Sequence, residues 1–549
     1  MNDWFLLSVL GAAAGMTLAA RLPLHYFQLE SYQFQGYFRT LGRQWKKAFL
    51  PGILLALAHA AALLLLALAF PGLSAPDYLI HGLLAVILAG AGWLLCRQAA
   101  GMPQKKKFAL TARMKRLYAA LAAVCCLLML LPFLLSRQAA GTLAGSRALG
   151  AMIGRAVLPL YLPMLLLPCV VALAALIALP IEKLIFHLYF RDAEKKLLEN
   201  PRLIRIGITG SYGKTSTKFI LAEILSQKYN VLATPASFNT PMGVTRIIRE
   251  RLTPSHQVFI GEMGARHVGE IRELSRLVHP QIGILTAVGP QHLDTFKTLE
   301  RIEKTKYELI DALPEDGLAV FLDDDGIVRK LYDKTPKPKL LAAREGADAW
   351  AENMTVSPQG CHFTLRFGDG KAIECDTVLL GEHNVMNILG ASLVARHLGL
   401  SDEQIARGIS GLRPVEHRLQ LIRTPNGIGV IDDAFNTNPR SSRQALKVLS
   451  SFPGRRLIVT PGMVELGGDE ERYNEEFGQA MAGAVDIAVL VGKRHTAPIR
   501  KGLMEKGFPE EKIHTVASLE EAVAVVNGLI RPGDTVMYEN DLPDHYSEG

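Results

Sequence analysis

Five apolar stretches, near residues 4–20, 49–70, 78–96, 117–135 and 158–179, occupy most of the first third of this chain. Each approaches the roughly 20 residues a helix needs to cross the hydrocarbon core of a bilayer. Backbone N–H and C=O groups find no water there, so such segments must close their hydrogen bonds internally, as helices. Residues 201–549 lack these runs and read as a soluble protein, so the mean hydropathy of +0.19 averages two unlike parts. The charge divides in the same way. Residues 1–200 carry 19 Lys and Arg against 7 Asp and Glu, a net of +12, which leaves about −4 for the rest of a chain whose total is +8. The basic balance is therefore a property of membrane flanks, and it gives no argument for nucleic acid as a partner.

The basic loops also set an orientation. Arg21, Arg39, Arg43, Lys46 and Lys47 follow the first stretch, and Arg97, Lys105–Lys107, Arg113, Lys115 and Arg116 follow the third. Five spans put both segments on the cytosolic side with everything after about residue 181, and the N-terminus outside. The multi-pass reading places the chain in the plasma membrane, with its catalytic part in the cytoplasm. The first stretch follows Asp3 rather than a basic run and is read as a retained helix. Residues 136–157 face outward yet hold Arg137, Arg147 and Arg155, which fits a re-entrant or interfacial helix. Pro159, Pro163 and Pro168 predict a bend in the fifth span, which makes it either a bent packing helix, the simpler reading, or the lining of a groove for a lipid. The spans hold few ionisable groups, which argues against an ion pathway. Four of the six cysteines lie in apolar runs, and Cys361 and Cys375 form no metal-binding spacing, so no zinc or redox centre is expected.

Chemistry begins after the last span. Residues 203–209 read as a buried strand, Gly210-Ser-Tyr-Gly213-Lys214-Thr215-Ser216 as a glycine loop, and residues 217–227 as a helix. Strand, glycine loop and helix N-terminus form a cradle for phosphate. The glycines admit backbone N–H groups to the phosphates, Lys214 reaches them with its charge, and Thr215 can hold Mg²⁺. Ile208 stands where the strict phosphate-loop motif has its first Gly, so this is the shorter T-G-x-x-G-K-T form. Residues 257–262 and 281–287 read as two further strands. Glu262 ends the first, and the second opens into a loop with His292. Ligands in parallel sheets bind at the carboxyl ends of strands, so both residues share a rim with the phosphate loop, where they can bind a divalent metal.

These motifs resemble those of the Mur ligases. The likeness is carried by T-G-S-Y-G-K-T-S-T-K, Ile260-Gly-Glu262-Met-Gly-Ala265, Val288-Gly-Pro-Gln-His292-Leu-Asp-Thr-Phe296, and Asp432-Asp433-Ala-Phe-Asn-Thr-Asn438-Pro439. It runs over about residues 200–549. It implies an α/β architecture with N-terminal transmembrane helices in 1–195, a central ATP-binding domain in 196–415, and a smaller Rossmann-like C-terminal domain in 416–549. It also implies that Gly210, Ser211, Gly213, Lys214, Thr215 and Ser216 bind ATP, with Asn239 beside the γ-phosphate. Asn384 and Asn387 would contact adenine, Asp433 ribose, and Arg418 the phosphates on domain closure. Thr215, Glu262, His292 and Lys306 would hold two Mg²⁺, Lys306 as a carbamate. Lys304 is the neighbouring alternative to Lys306.

The activity implied is amide formation with ADP release. A carboxylate takes the γ-phosphoryl group of ATP, and an amine then displaces phosphate. Lys214, Lys306, His292 and Arg418 are the catalytic candidates. The substrates implied are a muramyl-peptide-like carboxylate and an amino acid or dipeptide such as D-Ala-D-Ala. Two departures touch substrate features. Apolar helices replace the family's soluble uridine-nucleotide-binding domain, which points to a lipid-linked acceptor. Tyr538-Glu-Asn-Asp541 stands where the family carries K-G-S-R, and His417 stands where Gly precedes the arginine. A membrane-attached poly-γ-glutamate-type synthase and a non-catalytic ATP-binding scaffold remain alternatives, while the phosphate-loop context argues against a transporter.

Overall fold

The computed structural model describes residues 5–69, 77–102, 107–139, 158–324, 326–435 and 437–542. They divide into two compact units, Met1–Phe186 and His187–Gly549.

The first unit is helical. Among the described residues, four segments are long and apolar enough to cross a membrane: Leu6–Leu29, Trp45–Leu66, Leu79–Gly101 and Leu167–Leu198. The apolar stretch at 117–135 lies in the helix Ala112–Ala139, whose side chains are described only as far as residue 130. Residues 140–157, which carry most of the expected re-entrant segment, lie outside the described residues. The expected bend is present. The helix Leu158–Leu165 stops and Leu167–Leu198 starts after a single residue, because Pro163 and Pro168 crowd the backbone and lack the N–H that a continuous helix needs. The first helix, Phe5–Ala19, packs along Asp77–Gly101 through small residues: Gly11 meets Ala85, and Gly15 meets Leu88 and Gly92. Backbones approach this closely only where Cβ atoms are missing or small. Leu64, Leu65, Leu68 and Val86 point outward, between 61 and 71% exposed, which gives the unit an apolar exterior suited to lipid.

The second unit carries two sheets. The larger has nine strands: β1 (Ile204–Thr209), β2 (Val231–Ala233), β3 (Val258–Glu262), β4 (Ile282–Leu285), β5 (Leu318–Asp323), β6 (Lys339–Ala343), β7 (Ala349–Ser357), β8 (Gly360–Phe367) and β9 (Ala372–Thr377). Their order is β2-β3-β1-β4-β5-β6-β7-β8-β9. Pairing is parallel from β2 to β7 and antiparallel from β7 to β9. The parallel strands are almost continuously apolar because helices cover both faces. The smaller sheet has β10 (Gln420–Arg423), β11 (Gly429–Asp433), β12 (Arg456–Thr460), β13 (Ile487–Val491), β14 (Ile513–Val516) and β15 (Thr535–Glu539), in the order β10-β11-β15-β12-β13-β14. The helix Glu382–His397 carries Asn384 and Asn387 near its start.

Topology positions the site. β1 lies between β3 and β4, so the connections leaving β1 and β4 diverge at its carboxyl end and open the crevice where ligands bind in such sheets. Register aligns that rim, since Ile208 pairs with Glu262 and Thr209 with Leu285.

The glycine contacts of the first unit are testable. Gly15→Leu should lower the melting temperature of the full chain in detergent, because a side chain there collides with the backbone of the facing helix. Gly90→Ala, which has open space around it, should leave the temperature unchanged.

Candidate active site

The phosphate loop joins β1 to the helix Lys214–Leu225. Gly213, with φ of 76°, sits in the left-handed region, and a Cβ on it would meet the Asn387 side chain at 2.8 Å. Ser211 fixes the loop from the other side, donating to Gly289 O at 3.0 Å and accepting from Gly289 N at 3.1 Å. Lys214 Nζ lies in the mouth of the loop and donates to Gly210 O (2.7 Å) and Ser211 O (3.2 Å). Burial pulls its pKa down to about 8, Glu262 opposes that, and Arg418 adds to it. Ser216 is half-buried in the first helical turn.

Glu262 is the hub. It is 1% exposed. Lys218 Nζ lies 2.9 Å from its Oε2, Thr215 Oγ1 donates to both oxygens at 3.1 and 3.0 Å, and Asn239 Nδ2 donates to Oε1 at 3.0 Å. Burial raises the pKa of this carboxyl, but the charges of Lys218 and Lys214 and these hydrogen bonds outweigh it and hold the group below the usual carboxylate range. Lys218, itself fully buried, also donates to Ala236 O. Sequence reasoning passed over Lys218. The available signal was its place four residues after Lys214, hence on the same helix face.

Lys306 is 2% exposed on the helix Leu299–Asp311, whereas Lys304 is exposed. Burial, with the nearby charge of Lys214, drives the Lys306 pKa well below its usual value despite Glu270, Glu262 and Glu308. Among the described residues, no hydrogen bond holds its Nζ. Glu308 has a structural task. It accepts from Gly269 N (3.1 Å) and Arg272 N (3.0 Å), capping the helix Glu270–Val278 and fixing the Lys306 helix beside it.

His292 stands in a second cluster. Its Nδ1 lies 2.5 Å from Glu465 Oε2, and Arg266 approaches the other Glu465 oxygen at 3.6 Å. Burial holds the imidazole below its usual pKa, with Glu465 opposing. His292 and Glu465 both have positive φ, 51° and 65°. Glu465 lies in the loop after β12, and the sequence reading gave it no task. The two residues line a cleft with Thr437, Asn438 and Asn540.

The remaining predicted residues divide by function and support. Asn387 accepts from Thr217 Oγ1 (3.1 Å) and contacts Asn384 (3.4 Å), which donates to Leu380 O (2.9 Å), so this pair ties the phosphate-loop helix to Glu382–His397. Arg418, half-buried, lies 4.2 Å from the Phe435 ring centroid and close enough to Asp433 and Glu262 to feel both charges. His417, in the place of a glycine, takes φ of 59° and is held by Asp432 at 2.7 Å. Asp433 accepts from Leu419 N at 3.1 Å and pairs in register with Glu539. Burial and that neighbouring carboxylate push Asp433 up to about 8, and burial pushes Glu539 to about 7.

A hydroxyl and a carboxylate in contact at the end of a phosphate loop form the hard-oxygen donor set that suits Mg²⁺. Among the described residues, no three His, Cys, Asp or Glu side chains gather into a preformed metal cage, so Glu262 and His292 belong to separate clusters. Two bridges, Asp324–Arg440 at 2.5 Å and Glu382–Lys447 at 2.7 Å, link elements of the larger sheet to the helix that follows β11.

Comparison with known proteins agrees with this geometry. Residues 208–395 match the Mur ligase middle domain, and residues 417–538 match the Mur ligase glutamate ligase domain. The UDP-N-acetylmuramoyl-tripeptide–D-alanyl-D-alanine ligase of Bacillus subtilis is 30% identical over 339 residues, 61% of this chain and 72% of that protein. The chain belongs to the Mur ligase family. The ligase of the same description from Mycobacterium tuberculosis is 34% identical over 355 residues, covering 60% of this chain and 69% of that one. The solved structure of MurF from Acinetobacter baumannii superposes with a TM-score of 0.60 at 27% identity, over 66% of this chain and 79% of its own. MurF from Thermotoga maritima in complex with ADP, at 24% identity and a TM-score of 0.58, shares the fold. The chain is thus an ATP-dependent, ADP-forming amide ligase of peptidoglycan-synthesis type.

Three substitutions check the electrostatics. Lys218→Met should destabilise the second unit by roughly 3–5 kcal/mol, because it strands a buried carboxylate. Adding Glu262→Gln should recover part of that loss in urea unfolding. Asp433 and Glu539 have folded pKa values above those of the unfolded chain, about 4. The native state therefore binds the extra protons, and stability falls as pH rises between about 4 and 8. Glu539→Gln should raise the melting temperature at pH 8 and leave it nearly unchanged at pH 4.

Proposed function

We propose that this ligase works at a membrane surface and joins an amino acid or a dipeptide of the D-Ala-D-Ala kind to a lipid-linked muramyl-peptide carboxylate. The observation that carries the reading is the pairing of a Mur ligase catalytic region with an apolar helical unit that ends just before it. Residues 1–195 serve as the membrane region, 196–415 as the ATP-binding domain and 416–549 as the C-terminal domain, with the catalytic part on the cytosolic side.

In this reading the loop from Gly210 to Ser216 wraps the ATP phosphates, and Lys214 turns from the loop carbonyls to the β- and γ-phosphates. Asn239 orients the γ-phosphate. Arg418 brings a planar, permanently charged donor pair onto the transferring group. The Asn384–Asn387 pair borders adenine, and Asp433 receives the ribose. Two Mg²⁺ ions, when bound through Thr215, Glu262, His292 and Lys306, supply neutralisation of the phosphate charge. Lys306 can act as a ligand only after modification. Its buried neutral amine adds to the carbon of CO₂ and loses a proton, which replaces a disfavoured ammonium with a carbamate anion. The protein's contribution is positioning and charge stabilisation. The acceptor carboxylate attacks the γ-phosphorus, ADP leaves, and the acyl phosphate waits in a closed cleft. The amine then attacks the acyl carbon, and phosphate departs as the amide forms. Closure of the two sheets over the site excludes water, which would otherwise hydrolyse the acyl phosphate.

The test uses the full chain in lipid nanodiscs and reads ADP release from Mg-ATP. D-Ala-D-Ala and single amino acids are each paired with a uridine-nucleotide-linked muramyl peptide and with its lipid-linked counterpart. Release should require one amine together with the lipid-linked acceptor. Lys306→Ala should lower the rate by about 10²–10³-fold, the usual cost of losing one charge-stabilising group. Equal use of the soluble nucleotide contradicts the lipid-linked acceptor, and turnover with an amino acid alone favours a polymer synthase.

A further inference from the structure

We propose that the first unit holds a binding site for a phosphate-headed lipid, built where the Arg113–Glu182 cluster closes one end of an apolar cavity. The cavity lies wholly within residues 27–182. Phe27, Tyr32 and Phe34 form one wall, Phe27 meeting the other two rings edge-on at centroid distances of 5.9 and 5.3 Å. Leu117, Ala178 and Leu179, from the helices Ala112–Ala139 and Leu167–Leu198, form the opposite wall.

The charged end is organised so that one guanidinium is presented and the other is spent. Arg116 grips both oxygens of Glu182, at 2.6 and 2.9 Å. Arg113 lies farther from the same carboxylate, at 3.5 Å, and stacks over Tyr32 at 4.1 Å from the ring centroid. Its side chain is 41% exposed, and among the described residues it makes no hydrogen bond. Glu182 therefore places Arg113 without exhausting its donors. The surroundings are strongly basic, because residues 1–186 hold sixteen Lys and Arg against four Asp and Glu.

A planar fork of N–H donors at one end fits a phosphate oxyanion. The apolar side chains beside it fit the first carbons of a chain, and alanine at 175 and 178 leaves room there. A soluble anion alone would leave the apolar walls uncovered, and an uncharged lipid would leave the arginine unused. The arginine would take the head group and the apolar walls the start of a tail, with the remainder lying in the bilayer. The site gives the lipid-linked acceptor of the proposed function a place to dock, and in that respect it rests on that reading.

Binding of farnesyl phosphate, farnesol and inorganic phosphate to the full chain in detergent tests the site without calling on catalysis. Farnesyl phosphate should bind at least tenfold more tightly than either of the others. Arg113→Gln should remove that preference, and Leu179→Trp, which fills the cavity, should block farnesyl phosphate, while both variants retain Mg-ADP binding. Equal binding of farnesol, equal binding of inorganic phosphate, or an unchanged Arg113→Gln variant overturns the proposal. If the preference holds while only a soluble acceptor supports ADP release, the site stands and the lipid-linked acceptor falls.

Discussion

One buried carboxylate holds the catalytic region together. Glu262 ends β3 with no access to solvent, a position that would be untenable for an isolated charge. It is tolerable because Lys218 neutralises it and Thr215 and Asn239 fill its remaining lone pairs. The partners come from two parts of the site: Thr215 and Lys218 from the helix after the phosphate loop, Asn239 from the loop between β2 and the next helix. The carboxylate thus sets the spacing between the phosphate loop and the neighbouring strand. The same anion keeps the loop's lysines, Lys214 and Lys218, from being three-way repelled with Arg418, which approaches from the smaller sheet. A site made for a polyphosphate must gather positive charge before the ligand arrives, and Glu262 makes that gathering affordable.

The second constraint is topological. β1 sits at the switch point of a parallel sheet, so the phosphate loop, Glu262 and the segment leading to His292 must emerge on one rim. The smaller sheet supplies what that rim lacks. Arg418 and Asp433 lie at the open end of the β10–β11 hairpin, where Gln420 pairs with Asp432, and Glu465 reaches His292 from the loop after β12. The ion pairs Asp324–Arg440 and Glu382–Lys447 sit along the same junction, partly exposed, where each contributes little by itself and can exchange as the cleft opens and closes.

Much of this was legible in the sequence, and the reasons are specific. The strands read at 203–209, 257–262 and 281–287 are short apolar runs bounded by glycine or charge, which is what burial on both faces demands, and they are observed at 204–209, 258–262 and 282–285. The phosphate loop announces itself because glycine is needed for its left-handed Gly213. What escaped reading depends on contacts between distant segments. Lys218 looks like one more surface lysine until Glu262 is placed across from it, 44 residues away. Glu465 gains a task only when the loop after β12 meets His292. Glu308, two residues after Lys306, caps a helix from another segment, a task visible only in the fold. His417 breaks a glycine pattern, and its left-handed backbone shows why glycine is usual there and how the tie to Asp432 compensates. In the first unit, hydropathy marked the spans, while the aromatic and arginine lining of its cavity came from loops and helix ends that carry no periodic signal.

The central claim is that these parts activate a carboxylate by phosphorylating it. Transfer of oxygen tests this most directly. An acceptor labelled with ¹⁸O in its reacting carboxylate is turned over with Mg-ATP and the accepted amine, and the released phosphate is analysed by mass. Passage through an acyl phosphate predicts one ¹⁸O delivered to phosphate for each amide formed. Phosphate that carries oxygen only from ATP and water would contradict the account.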